Sequence, residues 1–269
     1  MAWQNFRRPL PLLAVGLSIE LLLAGVLPIQ VRAQVTDATS GNILSSRSIG
    51  RVTFEPPSDG QPENTTGGAS RGGKVCPQDA KDLDPSLTLL KPANYQGLTV
   101  AEHPTFFVYV PQTSAKKALF VLKDESEDYY YQKTLPIPSK AGVVDFKLPA
   151  DAPALKLGKN YQWSVVLICG EAIRPDSPAV VGQIRRIELN STLSSQLKNL
   201  SSLDRAALYG KNGIWYDTIA TLAQLRRDSS TQGIATIAPT QPDDPTLAAS
   251  WEELLKSVGL EAIATKPLL

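Results

Sequence analysis

The residues that could do chemistry are few and far apart. The chain of 269 residues holds one His, His103, and two Cys, Cys76 and Cys169. His103 stands between Glu102 and Pro104. A general base needs a nucleophile or an acid beside it, and neither lies at local spacing, so His103 reads as a surface or capping residue. With one His and two Cys, most ligands of a zinc ion would have to be carboxylates, so no metal is expected. Asp124, Glu125, Glu127 and Asp128 form an acidic run. A calcium loop needs spaced oxygen ligands and a glycine; the run lacks both and reads as a solvated turn. Gly68-Ala69-Ser70-Arg71-Gly72-Gly73-Lys74 matches the start of a phosphate-binding loop, but Val75 follows where Ser or Thr would hold magnesium. A flexible basic hinge accounts for it better, and no cofactor is expected.

Two groupings remain open. Two cysteines in an exported chain usually pair. A Cys76–Cys169 disulfide would close a loop worth about 4–5 kcal/mol in the chain-entropy description, before native strain is subtracted. A catalytic thiol would need a base, and His103 is the sole His. Asp124, Glu125 and Asp217 could serve a hydrolase if two of them met in one pocket at glycosidase-like separation.

Whatever these residues do, a strand over 161–169 must organise them. Tyr161, Trp163, Val165, Leu167 and Cys169 alternate with Gln162, Ser164, Val166 and Ile168, the period of a pleated strand. Its first face is large and apolar and needs a covering layer. Its second face is half polar at the start and apolar at the end, which places the strand inside a sheet. Further short strands are expected at 87–90, 104–111, 117–122, 129–134, 144–148 and 180–189, separated by turn signals. Seven such strands are the pattern of an immunoglobulin-like or fibronectin-like β-sandwich. Leu157-Gly158-x-x-Tyr161-x-Trp163 resembles the approach to the penultimate strand of fibronectin type III domains, in which a Tyr hydroxyl ties back to the upstream turn. Tyr129, Tyr130 and Tyr131 put rings on both faces of one strand; one in the core and two at the rim is the expectation.

After Leu189 the period becomes helical. Leu193, Leu197 and Leu200 share a face, Ser201-x-x-Asp204 is a helix start, and helices are expected over 203–211, 214–227 and 247–258. Asn212-Gly213 is the turn between the first two, and Gly259 ends the last. Ala206, Tyr209, Gly213, Trp215, Leu222 and Leu225 together resemble one tetratricopeptide (TPR) helix pair. Trp215, Thr218, Ile219, Leu222 and Leu225 line the apolar face of the second helix, leaving Tyr216 and Asp217 off it. Arg226 and Arg227 suit its C-terminal dipole.

The N-terminal residues concern destination. Residues 1–33 read as a signal peptide: Arg7 and Arg8, then an apolar run over 10–27, then Val31-Arg32-Ala33 before cleavage at Gln34. Glu20, which at the centre of a spanning helix would cost roughly 2.5–3.5 kcal/mol, counts against a permanent anchor. Residues 34–75, rich in Ser, Thr, Gly, Pro and Asn, read as a disordered tether. Removing residues 1–33 takes the formal charge from +1 to about −1. That balance disfavours nucleic acid and anionic membrane as partners.

In combination the runs resemble a family, the exported cyanobacterial proteins grouped as domain of unknown function 928. The resemblance is carried by Arg71-Gly72-Gly73 with Cys76, by Gly97-Leu98-Thr99, and by the run from Pro104 to Pro111. Leu122-x-Asp124-Glu125, Leu157-x-x-x-Tyr161-x-Trp163 and Leu167-Ile168-Cys169 continue it. Ala207-Leu208-Tyr209, Gly213-Ile214-Trp215-Tyr216-Asp217, Leu222-Ala223-x-Leu225-Arg226-Arg227 and the run from Trp251 to Leu260 complete it. It covers residue 71 to the end. The resemblance implies export and a β-sandwich with helices, and it implies no activity and no catalytic residue.

The expectation is an exported, non-enzymatic binding or scaffold module of the cell envelope, periplasmic or extracellular. Its parts are a signal peptide (1–33), a tether (34–75), a β-sandwich (76–190) and a helical region (191–269). Its ligand would be an envelope protein, a peptide or a polysaccharide, on a surface of Tyr216, Asp217, Arg226 and Arg227. The alternative activity is an envelope carbohydrate-active enzyme or other hydrolase with paired carboxylates. A third account has the helices pack on the sandwich and serve stability alone.

Overall fold

A computed structural model of the chain describes residues 51–57, 75–81, 83–93, 95–126, 128–232 and 245–269. The expected signal peptide, most of the expected tether and Glu127 lie outside the described residues. The strands are β1 (Thr88–Leu89), β2 (Gly97–Thr99), β3 (Thr105–Val110), β4 (Lys117–Asp124), β5 (Tyr130–Pro136), β6 (Gly142–Lys147), β7 (Asn160–Ile168) and β8 (Ala179–Arg186). The helices are α1 (Ser191–Leu197), α2 (Ser202–Lys211), α3 (Trp215–Gln232), α4 (Pro245–Lys256) and α5 (Glu261–Ala264). The fold is thus mainly β with α. Sequence periodicity finds seven of these strands and misses β2, whose three residues are too short to show a period. It stops α3 five residues early and misses the single turn of α5.

One sheet has the order β1-β3-β6, and the other β2-β8-β7-β4-β5. All neighbours run antiparallel except β2, which is parallel to β8. β7 lies inside the larger sheet, between β4 and β8, with Tyr161, Trp163, Val165 and Leu167 buried and Gln162 exposed. Its buried face meets the smaller sheet: the Phe106 ring of β3 lies 4.8 Å from Trp163 and 5.0 Å from Phe120. The Tyr161 hydroxyl accepts from Lys156 N at 2.8 Å, so the tie to the upstream turn is present. The three tyrosines divide as their alternation demands: Tyr129 is buried, Tyr130 exposed and Tyr131 between.

Residues 106–110 of β3 are all buried. The larger sheet covers only one face, so the other needs a cover of its own, and α3 packs on β3 and β2 to supply it. The helix ends follow their sequence signals. Ser201 caps α2 by accepting from Asp204 N at 3.2 Å. Gly213 turns at φ 70° between α2 and α3, and Gly259 at φ 80° after α4, where Leu260 N donates to Leu255 O. The described residues belong to one unit, Ser46–Leu269. The boundary expected between 190 and 191 is therefore a change of secondary structure within one core.

The tether expected over 34–75 needs correcting for its middle. Val52 and Phe54 are buried in the core. Phe54 meets the Trp215 ring edge-on at 5.4 Å, and its N–H donates to Ser257 Oγ at 3.1 Å. Glu55 N donates to Gly210 O at 3.0 Å. A Cβ on Gly210 would collide with the Thr53 carbonyl oxygen. The signal was the short alternation Arg51-Val52-Thr53-Phe54-Glu55, which the surrounding polar composition obscured. Residues 51–57 are a strap across α2, α3 and α4. Phe54→Ala is expected to cost about 3–5 kcal/mol, read as a lower urea midpoint. A wild-type midpoint would restore the tether reading.

Candidate functional site

The four residues expected on an exposed helical surface are used inside the fold. Tyr216 is buried, not outward. Its hydroxyl accepts from Trp163 Nε1 at 2.7 Å and donates to the Gln183 carbonyl at 3.1 Å. Its ring lies against Phe106 and Trp163 and fills the space a Cβ on Gly97 would need. Burial pushes its hydroxyl pKa far up. Beside it, Trp215 Nε1 donates to Leu90 O at 2.8 Å. The helical wheel assumed a single packed face. The first turn of α3 instead meets both sheets as well as the strap, so residues on both sides of that wheel are covered.

Asp217 accepts from Thr99 Oγ1 at 2.8 Å and from Val100 N at 3.0 Å, joining α3 to the end of β2. Burial raises its carboxyl above the usual range, against those two donors. The Arg226 guanidinium lies 5.2 Å from the Trp251 ring centre, a cation–π contact. Arg227 pairs with Asp145 of β6 and donates to Leu269 O at 3.3 Å. The partner surface drawn on these residues is therefore corrected: each secures a helix to its neighbours.

Of the three carboxylates in the hydrolase reading, Asp124 and Glu125 line one depression. Asp124 accepts from Tyr129 N at 3.1 Å and pairs with Lys159 at 3.0 Å. Burial would raise its pKa, but the Tyr129 N–H and Lys159 outweigh it and hold it below the usual range. Asp124 therefore stays ionised and makes a poor acid. Glu125 is beside it, within reach of Asn160 Nδ2 at 3.4 Å. Asp217 belongs to a different junction. His103 Nε2 donates to Ala152 O at 3.0 Å, a turn-fastening role. Among the described residues no three His, Cys, Asp or Glu side chains are grouped so as to hold a metal ion. Cys76 and Cys169 form a disulfide with Cα atoms 5.5 Å apart, pinning the start of the domain to the end of β7. Gly68, Ser70 and Gly72 also have the Gly-x-Ser-x-Gly spacing of a nucleophile elbow; like the phosphate-loop match, they lie outside the described residues.

Sequence reasoning passed over the outward face of the larger sheet. Registered neighbours there form rows across four strands. One row is Tyr130, Lys123, Gln162 and Gln183; the next is Gln132, Val121, Ser164 and Val181; a third is Thr134, Leu119, Val166 and Ala179. These side chains are exposed or half-buried. A depression of about 240 Å³ at the polar end is lined by Lys123, Glu125, Asn160, Gln162 and Gln183 among others. The signal available was the second face of β7, polar at its start and apolar at its end. On the inner side, an apolar cavity of about 180 Å³ lies between the sheets against Phe106, Phe120, Phe146, Leu135 and Trp163.

The family described as Domain of Unknown Function (DUF928) matches residues 66–268, more than half of the chain, and the chain belongs to it. No curated protein and no solved structure matches.

Asp217 gives a pH test of its own burial. With its folded pKa raised above 3.8, the folded chain holds the Asp217 proton more tightly than the unfolded chain. The Asp217 contribution to stability is greatest below that value and declines as pH rises through the raised one. Asp217→Asn is expected to remove this decline, seen as a smaller fall in urea midpoint than wild type over pH about 4 to 7. Parallel pH profiles would contradict the burial of a strained carboxylate.

Proposed function

We propose that this family member is an exported binding module of the cell envelope, without catalysis, and that it works through the outward face of its larger sheet. The observation that carries the reading is that face itself: a row of polar and a row of half-buried apolar side chains left open among the described residues. Two features are compatible with export through residues 1–33 to the periplasm or beyond. Cys76 and Cys169 are joined, which suits an oxidising compartment, and no described helix is long and apolar enough to cross a membrane.

The finer fold reading supports the same use. The order β1-β3-β6 against β5-β4-β7-β8, with the Tyr161 hydroxyl tie, fits an immunoglobulin or fibronectin-like sandwich. Sandwiches of this kind present faces, edges and loops for binding. The α2–α3 pair resembles a TPR unit, but residues 51–57 and the sheets already cover its apolar surface, so a peptide groove there has no vacancy to offer. The hydrolase alternative retains Asp124 and Glu125 in one depression, with Asp124 held ionised by the Tyr129 N–H and Lys159.

The test is co-sedimentation of the purified exported chain with isolated envelope material. Wild type is expected to sediment with it. Val181→Arg, on the open face, is expected to weaken this by about tenfold or more with its melting temperature kept. Equal binding by Val181→Arg would move the surface elsewhere, and no sedimentation would defeat the reading. Release of soluble sugars or peptides by the wild type would restore the hydrolase.

A further inference from the structure

We infer that the polar end of this open face is a subsite for a neutral oligosaccharide. The inference rests on the envelope-binding reading and supplies its ligand class. Tyr130, Lys123, Gln162 and Gln183 are register partners on β5, β4, β7 and β8, and register partners share a face. At the spacing of adjacent strands the row is roughly 14 Å long, enough for a short run of sugar rings.

The chemistry of the row suits hydroxyl-rich ligands. At its outer end the Tyr130 ring is 54% exposed, and its hydroxyl is tethered by donating to Gln132 Oε1 at 2.9 Å. An exposed ring offers an apolar platform to the C–H face of a pyranose, with a polar tip beside it. Gln162 and Gln183 each present a donor and an acceptor. A sugar hydroxyl is also both, so a primary amide can satisfy two neighbouring hydroxyls at once. Glu125 and Asn160 extend this set by one row. They are held in place by the Asn160–Glu125 contact at 3.4 Å and by Gln96 Nε2 donating to Asn160 Oδ1 at 3.0 Å. The depression of about 240 Å³ falls below the ~300 Å³ at which pockets for drug-sized ligands begin. It is sized for one unit of a chain whose remainder lies along the row towards Tyr130.

Charge favours the neutral class. Lys123, Glu125 and Arg185, the register partner of Asn160, mix both signs at this end, and Asp124 is matched by Lys159. Mixed charges present no single-sign field to draw an acidic glycan. An apolar ligand would choose the rows above, where Leu119, Val121, Val166 and Val181 stand. A polar polymer gains at the lower row, where amides replace the hydrogen bonds it gives up to water.

The experiment uses envelope material in three forms: untreated, protease-treated, and the protease-resistant polysaccharide divided into neutral and acidic pools. The exported chain is expected to bind the untreated material, the treated material and the neutral pool. Tyr130→Ala, and separately the double change Gln162→Ala with Gln183→Ala, should each weaken binding to the neutral pool about tenfold or more. Near-ultraviolet circular dichroism should remain that of the wild type, since these side chains face solvent. Binding lost on protease treatment would overturn the oligosaccharide inference and leave the binding module standing with a protein partner. Binding confined to the acidic pool, or indifferent to both variants, would also overturn it. Failure to bind untreated envelope would overturn the reading beneath it.

Discussion

The hydrogen bond from Trp163 to Tyr216 is the interaction on which the rest depends. Trp163 belongs to the central strand, and its indole N–H points into the core, where water cannot satisfy it. A buried donor left unpaired costs roughly 1–3 kcal/mol. Tyr216 supplies the acceptor from the first turn of α3 and passes its own proton to the Gln183 carbonyl of β8. One side chain thus joins two of the inner strands of the larger sheet, β7 and β8, to the helical layer. Gly97 makes room for it, since any Cβ there would strike the Tyr216 ring. The helices cannot be an appended domain when their first turn completes the hydrogen bonding of the central strand.

That interaction also explains which parts of the fold were legible. Strands such as β4 and β7 announced themselves by alternation, because one face of each is apolar, and β3, buried on both faces, by an apolar run between two prolines. The Tyr161 tie was legible through the resemblance of Leu157-Gly158-x-x-Tyr161-x-Trp163 to fibronectin type III domains. The Cys76–Cys169 pair followed from there being only two cysteines. What failed were inferences needing knowledge of the third layer. A helical wheel assigns Tyr216 and Asp217 to solvent because it sees one packed face. In the fold Asp217 is bound by Thr99 and Val100, and Tyr216 by Trp163. Val52 and Phe54 were lost for the opposite reason: an alternation of two apolar residues is too short to stand out in a polar stretch, though both are buried.

The same accounting limits where a partner can act. Arg227 is engaged with Asp145, and Arg226 lies over Trp251, so these two arginines serve cohesion; α3 runs on to Gln232, and neither stands in its last turn. Reversing those charges would loosen the helix from β6 and α4 and could not report cleanly on a partner. The apolar side of the α2–α3 pair meets the strap and the sheets. A helical surface that looked available in sequence is consumed by the fold that contains it.

The sheet edges narrow the choice further. β2 closes the β8 edge of the larger sheet, and residues 267–269 cover β6: Val143 N donates to Pro267 O at 2.8 Å, and Leu269 N to Val143 O at 2.9 Å. The edge of β5 is blunted by exposed Lys133 and by Pro136, which lacks an N–H; such residues discourage strand addition. At β6 and β5 a partner strand therefore meets a covered or guarded edge, and backbone pairing there is disfavoured. The broad outward face of β5, β4, β7 and β8 imposes no such barrier. Its side chains are exposed or half-buried, their register is fixed by four paired strands, and the disulfide holds the end of β7. Rigid rows of side chains on a guarded sheet recognise shape and hydroxyl or amide groups without inviting aggregation. That is the physical ground for the proposal that this face binds a partner.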